Sequence, residues 1–224
     1  MGSVVEATAG GLVVSCQAPE GHPLRSPALI ARLAECAALG GAVAVRVNSP
    51  EDVRAAKDAV DVPVIGLHKV RAADRYLITP SWDLAAALAE AGADVIAAEA
   101  TGRGELPIAE LARRVREELG LPLMADVATF EQGRAAWAAG AELVATTLSG
   151  YTVDSPQGTE PDLDLVARLA AAGVRTVAEG RLATAEHVRG AFAAGAHAVV
   201  VGTAITDPLA LTRRLTAATP AAAR

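Results

Sequence analysis

Two kinds of stretch take turns along this chain. Ala-rich helical stretches end in a Gly-Ala step, and an apolar run follows. The pattern appears as GGAVAVRV (40–47), AGADVIAA (91–98), AGAELVATT (139–147), AGVRTVAEG (172–180) and AGAHAVVVG (194–202). Gly after an amphipathic helix is a C-cap signal, and the Val/Ile/Leu run behind it predicts a buried strand. The runs are apolar at both alternations, as parallel strands covered by helices must be. GLVVSCQ (11–17), VPVIGLHK (62–69) and LPLMAD (121–126) bring the predicted strands to eight. Helices are expected at 27–39, 50–60, 81–91, 107–118, 129–139, 161–172, 184–194 and 207–217. Several carry start signals: Ser49-Pro50-Glu51, Thr129, and Thr184 followed by Glu186. With no linker or composition break, eight alternating βα units predict one domain over 1–224, a (β/α)8 TIM barrel.

Composition narrows the picture. Of the 224 residues 52% are hydrophobic but 3% are aromatic, so Ala, Val, Leu and Ile must build the core. A net charge of −6 without a dense Lys/Arg run argues against nucleic acid as a partner. An anionic ligand would have to be held by local donors. Cys16 and Cys36 are too few for a disulfide scaffold or a zinc site, and His22, His187 and His197 show no ligand spacing, so no metal is expected. No signal-peptide pattern opens the chain and no apolar stretch reaches ~20 residues, which predicts a cytoplasmic protein with no membrane partner.

In a barrel of this class the chemistry gathers at the C-terminal ends of the strands. There the sequence places Gln17, Arg46, Lys69, Glu99, Asp126, Thr147, Glu179 and Gly202. Burial and a neighbouring Arg46 could lower the pKa of Lys69 toward the neutral amine that a base or Schiff-base nucleophile needs; the alternative is a lysine snorkelling to the rim. Glu179 and Asp126 could move protons, position hydroxyls or balance the cations. Arg46 could bind an anion or an enolate oxygen, or simply pair with a carboxylate. His68 should turn away from the mouth, and Cys16 reads as a packing residue.

The last two strands end in a way that suggests an anion. VAEGR (177–181) and VVVGTA (199–204) each finish in Gly and then lead toward a helix, where exposed backbone N–H groups can hold a phosphate. Gly180 and Gly202 are the candidate cradles and Arg181 and Thr203 their side-chain helpers; the alternative is two turns that need Gly for geometry alone. These endings make the barrel one of the phosphate-binding type.

The sequence resembles the N-acetylmannosamine-6-phosphate 2-epimerase family over nearly its whole length. The blocks that carry the resemblance are GLVVSCQ (11–17), SPALIARLAECAALGGAVAVR (26–46), PVIGLHK (63–69), LITP (77–80), TTLSGYT (146–152), AEGR (178–181) and VGTAIT (201–206). The resemblance implies an enzyme that interconverts N-acetyl-D-mannosamine 6-phosphate and N-acetyl-D-glucosamine 6-phosphate in amino-sugar and sialic acid catabolism, without metal or organic cofactor and often as a homodimer. It places the catalytic lysine on Lys69 and a catalytic glutamate on Glu179. The substrate-contacting glutamine, arginine and aspartate fall on Gln17, Arg46 and Asp126. The chain departs from the family pattern at Val70-Arg71, at Glu99-Ala100, at Glu105, and at Asp207, where an arginine is usual. Two other readings are a Schiff-base aldolase acting through Lys69 and a non-catalytic sugar-phosphate binder.

Overall fold

The computed structural model describes residues 4–220. Its strands, in chain order, are β1 (Leu12–Cys16), β2 (Ala44–Asn48), β3 (Val64–Leu67), β4 (Lys69–Arg71), β5 (Tyr76–Ile78), β6 (Val95–Glu99), β7 (Leu123–Asp126), β8 (Leu143–Ala145), β9 (Thr176–Glu179) and β10 (Ala198–Val201). β4 and β5 form a separate antiparallel hairpin; the other eight are parallel and close in the order β1-β2-β3-β6-β7-β8-β9-β10. The helices are α1 (Val4–Ala7), α2 (Pro27–Leu39), α3 (Pro50–Ala59), α4 (Trp82–Glu90), α5 (Ile108–Arg114), α6 (Phe130–Ala138), α7 (Leu163–Ala171), α8 (Ala185–Ala193), α9 (Thr203–Thr206) and α10 (Pro208–Thr216). The expected (β/α)8 barrel is therefore the fold.

Strand side chains alternate between two faces, and this alternation sorts the core. Val13, Ala44, Ile65, Leu67, Val95, Ala97, Met124, Leu143, Val177 and Val200 fill the barrel interior as one buried cluster. Their neighbours Val14, Cys16, Val45, Val47, Ile96 and Leu123 face outward and pack with Ile30, Leu88, Leu111 and Leu169 of the helices. Burial pushes the Cys16 thiol up to about 12, which fits a packing residue. At the end opposite the strand tips, α1 seats Val5, 5% exposed, against the interior cluster. His197 Nε2 lies 3.0 Å from the Val5 carbonyl and 3.2 Å from Thr8 Oγ1, fixing that plug to the start of β10.

Start signals act as expected. Ser49, Thr129 and Thr184 each accept a backbone N–H from the third residue of their helix, and Thr129 with Gln132 completes a capping box. Both tryptophans belong to the helix layer and lie beside arginines: the guanidinium carbon of Arg114 is 3.8 Å from the Trp82 ring centre, and that of Arg175 is 6.0 Å from Trp137.

The short helices α1 and α9 add to the eight expected ones, and the structure departs from the sequence reading in two further places. The run 62–69 is not one strand: β3 stops at Leu67 because the next backbone N–H, that of His68, turns to the Thr79 hydroxyl at 3.0 Å. Lys69 thus begins a hairpin instead of ending a barrel strand. The helix expected over 107–118 is α-helical to Arg114 and π-helical over Val115–Leu119, before Gly120 closes it with φ 69°.

Candidate active site

The interior side chains change character along the barrel axis. Two residues beyond the apolar layer, the same inward alternation delivers Arg46, Asp126, Thr147 and Glu179, and these four form one network. Arg46 is fully buried. Its Nη2 donates to Asp126 Oδ2 at 2.5 Å, and its Nη1 donates to Glu179 Oε2 and to Thr147 Oγ1. The Thr147 hydroxyl donates to Asp126 Oδ1 and lies 3.2 Å from Glu179 Oε2. One guanidinium thus serves two carboxylates. Burial works against the Arg46 charge, but Asp126 and Glu179 outweigh it and hold the pKa above its ordinary value. Burial is also the largest influence on Asp126; it raises the carboxyl to about 6 against the pull of Arg46, with help from Glu179. Asp126 is sealed, whereas the Glu179 side chain keeps 14% of its surface and looks into the mouth.

Lys69 joins this group from the hairpin. Water reaches it from above, yet the barrel wall crowds the amine. This desolvation, followed by the Arg46 charge, lowers its pKa from the usual 10.5, while Glu179 and Asp126 oppose the shift. Its backbone N–H donates to Asn48 Oδ1 at 2.7 Å, but no hydrogen bond or ion pair among the described residues holds its Nζ. An amine that is crowded, unpaired and lowered in pKa beside a guanidinium–dicarboxylate group can exchange a proton with a bound molecule. His68, next to it, lies on the outer side near Glu51, as the alternation predicts.

The two glycine endings sit on the same rim. Gly180 has φ 113° and Arg181 φ 58°, a tight turn that follows Glu179 directly. The Thr146 hydroxyl clamps β9 there, accepting from Glu179 N at 3.1 Å and donating to Glu179 O at 3.0 Å. The Arg181 side chain turns to the loop after β8: it donates to the carbonyls of Ser149 and Glu160 and lies over the Tyr151 ring. Gly202 caps α9, and a Cβ there would come within 3.3 Å of Ser15 Cβ. Thr203 is the first residue of α9, with its side chain exposed. Asp207 caps α10 by accepting from Ala210 N at 2.8 Å and lies 3.3 Å from His22 Nε2. Gln17 donates to Ser15 Oγ and keeps its carbonyl oxygen buried without a partner.

A cleft of about 530 Å³ opens at the rim between the hairpin and the loops after β6 and β8, lined by Asp74, Arg75, Arg103, Tyr151 and Gln157 among others and by no residue of the Arg46 network. A shallower hollow of about 370 Å³ lies at the far end, beside Trp137 and His197, away from every residue of the network. No three His, Cys, Asp or Glu side chains gather as a metal site among the described residues. Sequence reasoning missed Asn48, Arg75 and Thr146, which hold backbone or a buried carboxylate rather than ligand. Asn48 alone carried a signal: it shares Arg46's inward parity on β2.

Comparisons with known proteins bear on the family and the fold. Residues 30–221 match the model of a family described as "Putative N-acetylmannosamine-6-phosphate epimerase". A relative from Caldanaerobacter subterraneus subsp. tengcongensis, named "Putative N-acetylmannosamine-6-phosphate 2-epimerase", is 45% identical over 94% of this chain and 92% of its own. One of the same name from Cutibacterium acnes is 44% identical over 93% of each chain. Among solved structures, the N-acetylmannosamine-6-phosphate 2-epimerase from Clostridium perfringens superposes with a TM-score of 0.90 at 33% identity, over 96% of both chains. A thiamine phosphate pyrophosphorylase from Pyrococcus furiosus, at TM-score 0.63 and 15% identity, shares the fold alone. With a family model matched over residues 30–221, these relatives at 44% and 45% identity and the shared barrel, the chain belongs to the N-acetylmannosamine-6-phosphate epimerase family.

Proposed function

We propose that this protein interconverts N-acetyl-D-mannosamine 6-phosphate and N-acetyl-D-glucosamine 6-phosphate in amino-sugar catabolism, with Lys69 as the base that removes the C2 proton. The observation that carries this is the Lys69 amine, unpaired and depressed in pKa beside Arg46, Asp126 and Glu179. In the open-chain sugar the C2–H lies α to the C1 aldehyde. Neutral Lys69 takes that proton, and the C–H electron pair moves into the C1 carbonyl to give an enolate. Donors aimed at the developing oxygen charge lower the barrier; Arg46 and Gln17 supply them. A proton passed from solvent through Glu179, open to the mouth, to the opposite face of C2 gives the epimer, and Lys69 releases its proton to solvent to reset the site. Asp126, sealed beneath the mouth, holds Arg46 in place rather than touching the sugar.

In the same reading the phosphate rests on the turns at Gly180 and Gly202, with Arg181 and Thr203 completing the cradle. Arg181 does so through the loop it braces. Binding energy gained there positions C2 against Lys69. The protein works as a cytoplasmic homodimer, without nucleic-acid or membrane partners; no helix among the described residues is long and apolar enough to cross a membrane, and α10 buries none of its residues. Light scattering checks the dimer.

The test is proton NMR in D₂O with N-acetylmannosamine 6-phosphate. Turnover with deuterium entering C2 is expected, and Lys69→Ala should abolish both. Exchange that survives in Lys69→Ala would refute the base assignment, and equal turnover of the unphosphorylated sugar would refute the phosphate cradle.

A further inference from the structure

We propose that Arg75 and Glu99 are positioning residues: together they lock the β4–β5 hairpin to the barrel rim and so fix Lys69, which stands at the hairpin's base. The inference rests on the reading of Lys69 as the base.

Glu99 ends β6 with its side chain fully buried, yet it joins neither the Arg46 network nor the charges that face Lys69, which are Arg46 of β2, Asp126 of β7 and Glu179 of β9. Its carboxylate serves the hairpin instead. Oε2 accepts from Arg75 Nη1 at 3.0 Å and from the backbone N–H of Ile78 at 2.9 Å. Oε1 accepts from Arg75 Nη2 at 2.8 Å and from the Thr101 hydroxyl at 2.5 Å. Ile78 is the hairpin partner of Lys69 across the β4–β5 ladder, so the carboxylate grips the rung on which the lysine sits.

Arg75 is equally committed. Its Nη1 also donates to Tyr76 O at 2.9 Å, and its Nη2 to Thr101 Oγ1 at 3.2 Å. A guanidinium has four terminal N–H donors. All four are spent within the protein, which marks Arg75 as a fastener and not a ligand-binding cation, although it lines the cleft. Two further bonds tie the same segment down: Asn48 Oδ1 takes the Lys69 N–H, and the Thr79 hydroxyl bridges His68 N and Ala97 O. Thr79 holds this place at φ 46°, a conformation that a β-branched residue adopts rarely. By contrast, the neighbouring Asp74–Arg103 pair is solvent-exposed at the hairpin tip.

The experiment measures kcat, KM and the pH dependence of kcat for Glu99→Gln, Arg75→Ala, Arg75→Lys and Asp74→Ala. Glu99→Gln and Arg75→Ala should lower kcat about tenfold or more with KM within about threefold, since misplacing a reacting group costs the chemical step. Their acid limb should move to higher pH, because a lysine released toward water regains its charge. Arg75→Lys should recover part of kcat, and Asp74→Ala should match the parent. If a single variant fails to fold, Arg75→Met/Glu99→Leu removes the pair without leaving a buried charge unpaired. Parental kcat with an unmoved limb would overturn the proposal, as would a loss of kcat with the limb in place. An active Lys69→Ala would instead overturn the base reading, whereas inactive Lys69→Ala beside a normal Glu99→Gln would spare that reading and sink this one.

Discussion

A single guanidinium holds the centre of the site, and its removal has a defined cost. Arg46→Met leaves Asp126 buried without its cation, so a loss of about 3–5 kcal/mol in urea unfolding is expected. The pH profile follows from Lys69. Its pKa lies below 10.5, and the neutral amine is the active form, so kcat should rise with pH along a limb centred below that value. A limb at or above 10.5, read from initial rates, would contradict it. Gln17, Arg46, Asp126, Thr147 and Glu179 were legible in the sequence because a polar residue at the end of an apolar, inward-alternating run has one place to go. Arg75 and Thr146 were not legible. They act by bonding backbone or a buried carboxylate from loops, where no period sets direction. The Arg181 side chain was misleading for the same reason: its neighbour Gly180 marks a turn, but nothing in the sequence says that the guanidinium folds onto Ser149 and Glu160.

At the scale of elements, the strand–helix order read directly from the Gly-Ala steps, since each step joins a helix stop to a buried run. The hairpin did not. VPVIGLHK continues its apolar pattern through the point where β3 ends, and the break is made by a residue eleven positions later, Thr79. The loop after β8 carries its own prediction. Gly150 has φ 80°, and a Cβ there would fall 2.3 Å from Arg181 Nη1. Gly150→Ala should therefore push Arg181 off its carbonyls and loosen the loop beside Gly180. We expect KM to rise about fivefold with a smaller change in kcat, as positioning energy is lost. Steady-state kinetics on the phosphorylated substrate checks this.

For the whole molecule, the barrel separates holding from reacting. Polar side chains crowd one end, and the other is closed by Val5 and the His197–Thr8 contacts. A change at the closed end should cost stability and leave the chemistry alone. Val5→Asp buries an unpaired carboxyl group, so unfolding should become easier by about 2–4 kcal/mol while KM stays at the parental value. A raised KM in a folded Val5→Asp protein would show that the two ends communicate.

The arginines packed beside Trp82 and Trp137 bear on how the protein can be observed. Both indoles are spoken for by the helix layer, while the mouth carries Tyr151. Tryptophan emission is then a gauge of the outer shell: it should shift on denaturation and stay constant when the sugar phosphate is titrated in. Occupancy will have to be followed by an optical label placed on the rim, or by the substrate's own resonances.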